Sequence, residues 1–196
     1  MWLKDVTLEG DVVTLLPLSR AHREGLLRAA ADGALWDLSF TSVPNADQID
    51  TYLDKALSDK ECGVALPFAV IHKQSGRVIG STRFCNVDAA NKRVEIGYTW
   101  YSRSHQRTGV NTDCKLQLLT HAFETLGCIA AEFRTHHENV RSQAAIQRIG
   151  AKPDGILRNH QIMPDGSLRH THVFSILNSE WNGVKAGLIA KQNRSS

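Results

Sequence analysis

The chain has 196 residues, 42% apolar and 22% charged, with a formal net charge of +3. That is enough for one domain with a sizeable core. The scattered basic residues argue against a dedicated nucleic-acid face, and no apolar run reaches the length of a membrane span. The first residues lack the apolar stretch of a signal peptide. Cys62, Cys85, Cys114 and Cys128 are far apart, without a CxxC pair, as expected of reduced thiols in a cytoplasmic protein.

Residues 11–16 read as a first strand. Ser19 is placed to cap a helix over 21–31, with Leu26, Leu27 and Ala30 on its apolar side. A loop over 33–44 carries Trp36 and Phe40. A second helix, 45–59, has Ile49, Leu53 and Leu57 at helical spacing. Strands 67–72 and 78–85 are joined by Lys73-Gln74-Ser75-Gly76. Asn91 and Lys92 turn the chain into a strand over 93–101.

A long helix over 111–126 follows, with Leu116, Leu119, Phe123 and Leu126 as its stripe and Gly127 suited to end it. Next come a strand over 129–135 and a helix over 140–149 that stops at Gly150. Strands 156–163 and 168–177 turn about Pro164-Asp165-Gly166. A short helix, 180–189, closes the chain. The order β-α-α-β-β-β-α-β-α-β-β is a mixed α/β arrangement with an antiparallel meander. The helix 111–126 acts as a crossover, so strands 93–101 and 129–135 are expected to run parallel.

The most informative stretch is Val94-Glu95-Ile96-Gly97-Tyr98-Thr99-Trp100-Tyr101, followed by Ser104-His105-Gln106-Arg107-Thr108-Gly109-Val110-Asn111-Thr112. A β-rich run ends in a polar, basic loop with one glycine, and that loop opens into a helix. Unpaired amides and the positive end of the helix dipole make such a junction an anion site, suited to a phosphate or pyrophosphate. Arg103 and Arg107 add full charges.

With that order and that loop, the sequence resembles the GNAT superfamily of acetyl-CoA-dependent N-acetyltransferases. The likeness spans nearly the whole chain as a single domain. It rests on Glu95-Ile96-Gly97-Tyr98, on Gln106-Arg107-Thr108-Gly109-Val110-Asn111 and on Asn139-Val140-Arg141-Ser142. Asn111 stands where the family has a small residue. The Glu-Ile-Gly-Tyr strand and the Asn-x-x-Ser helix start are similar to the RimJ/RimL-type branch, which includes acetylases of ribosomal-protein N-termini.

The resemblance implies a mostly antiparallel sheet, splayed at its central parallel pair and flanked by helices. It places pantetheine along Tyr98, Thr99, Trp100 and Tyr101. The pyrophosphate would lie on the amides of Arg107, Thr108, Gly109, Val110, Asn111 and Thr112, with Gln106 in the same loop. Asn139 would bond the pantetheine arm, and Ser142 would lie near the thiol.

Forming an amide requires a deprotonated amine and a stabilised leaving thiolate, but no covalent enzyme intermediate. Glu95, between apolar Val94 and Ile96, is the leading base; the alternative is a structural carboxylate bonded to backbone, Arg83 or Arg93. His160 is a second proton-transfer candidate. His170 and His172 read as hairpin surface, and the spacing of the histidines suggests no metal site.

Many GNAT enzymes use a Tyr in the helix after Asn139 to protonate the thiolate. Ile146 occupies that position here, leaving Ser142 as the substitute, or as a helix cap. Trp36, Phe40 and Arg83 are candidates for the acceptor pocket. Ile146 and Asn111 also suit a rival function, a CoA-binding sensor without turnover. The acceptor amine is not legible, and neither is oligomeric state, a homodimer included.

Overall fold

The protein is described from a computed structural model covering residues 2–37, 41–163 and 165–193. Phe40 therefore lies outside the described residues. Eight strands form one sheet among them: β1 (Leu8–Glu9), β2 (Val13–Pro17), β3 (Leu66–His72), β4 (Arg77–Asp88), β5 (Arg93–Tyr101), β6 (Ala130–His136), β7 (Lys152–Ile162) and β8 (Leu168–Leu177). Their spatial order is β1-β2-β3-β4-β5-β6-β8-β7. The helices are α1 (Arg23–Ala31), α2 (Ile49–Glu61), α3 (Val110–Thr120), α4 (Val140–Arg148) and α5 (Trp181–Asn193).

All pairings are antiparallel except β5 with β6. That parallel ladder is short, covering only Arg93–Glu95 against Ala130–Glu132. β5 stays paired with β4 as far as Tyr101, and β6 with β8 as far as His136. The two strands thus part after Glu95 and leave a wedge between them, the expected splay.

A bulge sits at the parting. The β4–β5 register jumps between Ser81↔Trp100 and Arg83↔Gly97, and Tyr98 takes a left-handed φ of 51°. Such a conformation costs a side-chain-bearing residue about 1–2 kcal/mol. A bulge bends its strand and re-aims the side chains beyond it.

The two faces of the sheet bury different layers. Phe84, Ile96, Phe133 and Phe174 pack with Leu118 and Leu119 of α3 and Trp181 of α5. On the other side, Leu26 and Ala30 of α1 and Leu53 and Ala56 of α2 close over Ala69 and Trp100. β5 alternates between the faces. Ile96 goes to the α3 layer, while Gly97 lies beside Glu95: a Cβ on Gly97 would stand 3.1 Å from Glu95 Oε1.

Several boundaries differ from the sequence expectation. The first strand starts two residues later, at Val13, after the extra strand β1. Ser19 opens a 3-10 turn, Arg20–His22, ahead of α1, and its amide donates to His22 Nδ1 at 3.1 Å. Asn45 Oδ1 accepts from the amides of Asp47 and Gln48 at 3.0 Å, so the chain turns there and α2 begins only at Ile49. β7 starts at Lys152, four residues earlier than expected.

The helix expected over 111–126 is α3 plus a π-helical turn, His121–Thr125, ended by Gly127 at φ 64°. Fully buried Asp113 pins α3 to the start of β2, accepting from the Val12 and Val13 amides at 2.7 and 2.8 Å. Gly10 makes room for that carboxylate, since a Cβ there would lie 2.3 Å from Asp113 Oδ2.

Candidate active site

The loop between β5 and α3 stands at the mouth of the wedge. Gln106 fastens it: its Nε2 donates to the Tyr101 carbonyl at 2.8 Å, and its Oε1 accepts from Arg141 of α4 at 2.8 Å. The motif glutamine thus ties the ends of β5 and α4 together. Arg107 turns the chain at φ 62°. The Thr108 hydroxyl donates to the His105 carbonyl at 2.8 Å and accepts from the Val110 amide at 3.3 Å.

The first α3 bond runs from the Asp113 amide to the Gly109 carbonyl at 3.0 Å. Among the described residues, the amides of Arg107, Thr108 and Gly109 meet no acceptor. Asn111 Oδ1 accepts from the buried Tyr101 hydroxyl at 3.3 Å. Burial holds that phenol well above its ordinary pKa, so it stays a donor. This bond gives Asn111 a structural reason to replace the family's small residue. Val110 and Thr112 are buried at the helix start.

The loop yields a direct test. Gly109 has φ −64°, a value proline adopts without strain. Gly109→Pro therefore removes one amide donor without forcing φ at that position. CoA affinity by calorimetry is expected to fall at least tenfold, about 1.4 kcal/mol. Unchanged affinity in the folded variant would remove the loop as an anion site.

Along β5, Tyr98 is exposed, Thr99 half-buried, and Trp100 and Tyr101 buried. Glu95 is 7% exposed. Its Oε2 accepts from Asn86 Nδ2 at 2.6 Å and lies 3.4 Å from Arg134 Nε. Arg134 also pairs with Glu132 at 3.1 Å, and Glu132 in turn pairs with Arg93. Desolvation raises the Glu95 pKa; the Asn86 hydrogen bond and the Arg134 charge offset part of that rise. A buried carboxylate raised toward neutrality and braced from one side fits proton abstraction.

Asn139 caps α4, its Oδ1 accepting from the Ser142 amide at 3.0 Å. Ser142 is half-buried, and no partner is assigned to its hydroxyl among the described residues. Ile146 is buried in the α3 layer. His160 is exposed on the edge strand β7, beyond β8 and β6 from β5. Its Nδ1 lies 3.0 Å from Thr171 Oγ1, which also accepts from Arg169 Nε at 3.0 Å. The Arg169 charge lowers the Glu95 pKa slightly, and that links His160 to Glu95 at one remove.

His170, expected as hairpin surface, is half-buried. It accepts from the Asn159 amide at 2.9 Å and packs against the His137 ring at 4.9 Å. Trp36 is half-buried against the α1–α2 layer. Arg83, directly opposite Gly97, is buried on the α2 side.

Sequence reasoning missed four residues here. Asn86 and Arg134 reach Glu95 from β4 and β6, and Tyr52 of α2 covers Arg83. The fourth is Lys115, 6% exposed on the inner face of α3. Its ammonium donates to Thr99 Oγ1 at 2.7 Å and lies 5.9 Å from the Phe133 ring centre on β6, so it reaches across the wedge. Its four-residue spacing from Leu119 was the available signal.

Among the described residues, no group of three or more His, Cys, Asp or Glu side chains is placed to hold a metal ion. No helix there is long and apolar enough to cross a membrane.

Comparison with known proteins agrees with this architecture. Residues 13–152 match the acetyltransferase (GNAT) domain family. The uncharacterized N-acetyltransferase p20 of Bacillus licheniformis is 30% identical over 145 residues, 74% of this chain and 78% of that protein. A GCN5-related N-acetyltransferase from Brucella melitensis superposes with a TM-score of 0.87 at 30% identity, covering 98% of this chain and 87% of its own. RimJ of Mycobacterium smegmatis, solved with CoA-disulfide, shares the fold at 20% identity. Its TM-score is 0.77, with 95% of this chain and 93% of that one covered. The splayed strand pair, the loop that opens α3 and these likenesses together establish that the chain belongs to the GNAT acetyltransferase family and is an acyltransferase.

Proposed function

We propose that the protein transfers an acetyl group directly from acetyl-CoA to a primary amine, either a protein N-terminus or a small amine. The observation that carries this is the row of unpaired amides at residues 107–109, set at the mouth of the wedge between β5 and β6. The CoA pyrophosphate lies on residues 106–112. Pantetheine enters the wedge along the free edge of β5, over Tyr98, Thr99, Trp100 and Tyr101, and Asn139 bonds the arm.

Glu95 accepts the amine proton, directly or through water. His160 stands behind it as a more remote proton carrier. Trp36 and Arg83 belong to the acceptor side, as does Phe40 by its place in the sequence. The RimJ/RimL-type branch is supported by the motif residues and by the RimJ fold likeness. An acceptor screen with acetyl-CoA, following thiol release, tests the function. Tight CoA binding without release on any amine would select the rival, a non-catalytic sensor, which the replacement of a family tyrosine by Ile146 favours.

Ser142 supports the departing thiolate, because Ile146 has no proton to give. A hydrogen bond to sulfur strengthens as negative charge builds there, so its effect falls on the transition state. Ser142→Ala is expected to lower kcat about tenfold, the low end for a charge-assisted hydrogen bond, with little change in CoA affinity. Steady-state kinetics beside calorimetry separates the two. A loss of affinity at constant kcat would make Ser142 a cofactor contact alone.

A further inference from the structure

Arg83 is 2% exposed, and its Nε is buried without a hydrogen-bond partner. Two other arginines share that feature at Nε, but Arg93 pairs with Glu132, and Arg134 with Glu132 and Glu95. Among the described residues, no carboxylate forms an ion pair with Arg83. Instead its guanidinium carbon lies 4.1 Å from the Tyr98 ring centre and 5.2 Å from that of Tyr52. Ring faces attract a cation, but they accept little from its N–H donors. Nearby Lys55 is already paired with Asp59 at 2.6 Å, whereas the buried Arg83 guanidinium has only ring faces beside it. A buried, unpaired cation is strongly unfavourable unless something completes it.

The position says what completes it. Arg83 is paired across from Gly97, and Gly97 lies against the Glu95 carboxylate on the same sheet face. Arg83 and Glu95 thus share one sheet face on either side of Gly97, so an acceptor that reaches Glu95 across Gly97 can carry a neighbouring group to Arg83. A guanidinium recognises planar or tetrahedral oxyanions through paired N–H donors.

We propose, resting on the acetyl-transfer function above, that Arg83 receives an oxyanion carried by the acceptor within a few bonds of the reacting amine. The oxyanion is a carboxylate or a phosphate. The acceptors are thus amines bearing negative charge, and neutral amines and polyamines are disfavoured.

The test is thiol release from acetyl-CoA with matched acceptor pairs. These are the α-amino acids and dipeptides against their carboxamides, and O-phosphoethanolamine against ethanolamine, with spermidine as a cationic control. In the wild type, kcat/KM is expected to be at least tenfold higher for the charged member of a pair, and the productive pair tells carboxylate from phosphate. In Arg83→Gln that ratio should collapse toward one, and Arg83→Lys should keep part of it. CoA affinity by calorimetry should stay within twofold in both variants.

The wild-type ratio stands whether or not the variants fold. Equal turnover within the pairs, or turnover on spermidine alone, overturns the proposal and leaves acetyl transfer intact. So does a uniform fall in Arg83→Gln that preserves the ratio, which would place Arg83 on the thioester. Tight acetyl-CoA binding with no release on any amine takes down the transfer function itself, and the proposal with it.

Discussion

Glu95→Gln should lower kcat about 10²-fold or more at saturating acetyl-CoA, the usual worth of a general base. The substitution keeps shape and an acceptor oxygen for Asn86, and removes only the proton sink. Arg134 keeps its pairing to Glu132 at 3.1 Å, so the cation is not stranded and the fold holds. The pH dependence sharpens the test. Burial raises the Glu95 carboxyl pKa above the ordinary glutamate value, and the base must be ionised to work. The acidic limb of the wild-type kcat profile therefore lies above an ordinary glutamate and disappears in the variant.

Stability moves the other way. A carboxyl raised on folding weakens the folded state once pH exceeds its unfolded pKa. Removing it should thus leave the melting temperature at pH 7 unchanged or higher, so lost activity cannot be assigned to unfolding. A kcat and pH profile matching wild type would hand the proton to another group.

How much of this was legible in the sequence follows from the range of the interactions. The turns were local facts. Lys92, Gly127 and Gly150 adopt φ of 51°, 64° and 102°, and each stands where the hydrophobic pattern breaks. The parallel pair followed from one crossover helix. The loop that opens α3 was equally local, because its amides and its helix are consecutive in the chain.

The surroundings of Glu95 were not legible. Asn86 and Arg134 lie 9 and 39 residues away in sequence, and only the sheet register brings them to one carboxylate. The bulge at Tyr98 is likewise a property of two strands together; from β5 alone, strict alternation would misplace every side chain after Gly97. Asp113 hides for the same reason, because its partners lie about 100 residues upstream. A charged residue on a helix reads as solvent-facing until the opposite strand is known, and that is how Lys115 escaped.

Lys115→Met should make the protein more stable at pH 7 by about 2 kcal/mol. Burial lowers the Lys115 ammonium pKa from 10.5 to about 8. At about 1.4 kcal/mol per pH unit, folding around the charged form costs about 3 kcal/mol. The Thr99 hydrogen bond, at about 1 kcal/mol, returns part of that. Methionine fills similar space without the charge.

Below pH 8 the lysine is protonated in both states, and the folded state bears the whole penalty. Between pH 8 and 10.5 the folded protein releases the proton that the unfolded chain keeps, so wild-type stability rises with pH relative to the variant. Above 10.5 the penalty is gone. Urea unfolding at pH 7 and pH 10 should therefore show a gap that narrows, equivalent near neutrality to about 4–8 °C in Tm for a chain of this size. A gap of equal size at both pH values, or a less stable variant at pH 7, would mean that the charge is not the source of strain.

Stability sacrificed at one buried position is the signature of a group kept for its chemistry. Lys115 places a positive charge beside Thr99, inside the wedge proposed to hold pantetheine, where negative charge builds as the thiolate leaves. The more stable variant should accordingly be the slower enzyme, with kcat reduced at least tenfold. Full activity in a stabilised Lys115→Met would leave the lysine a packing residue and return thiolate stabilisation to Ser142 alone.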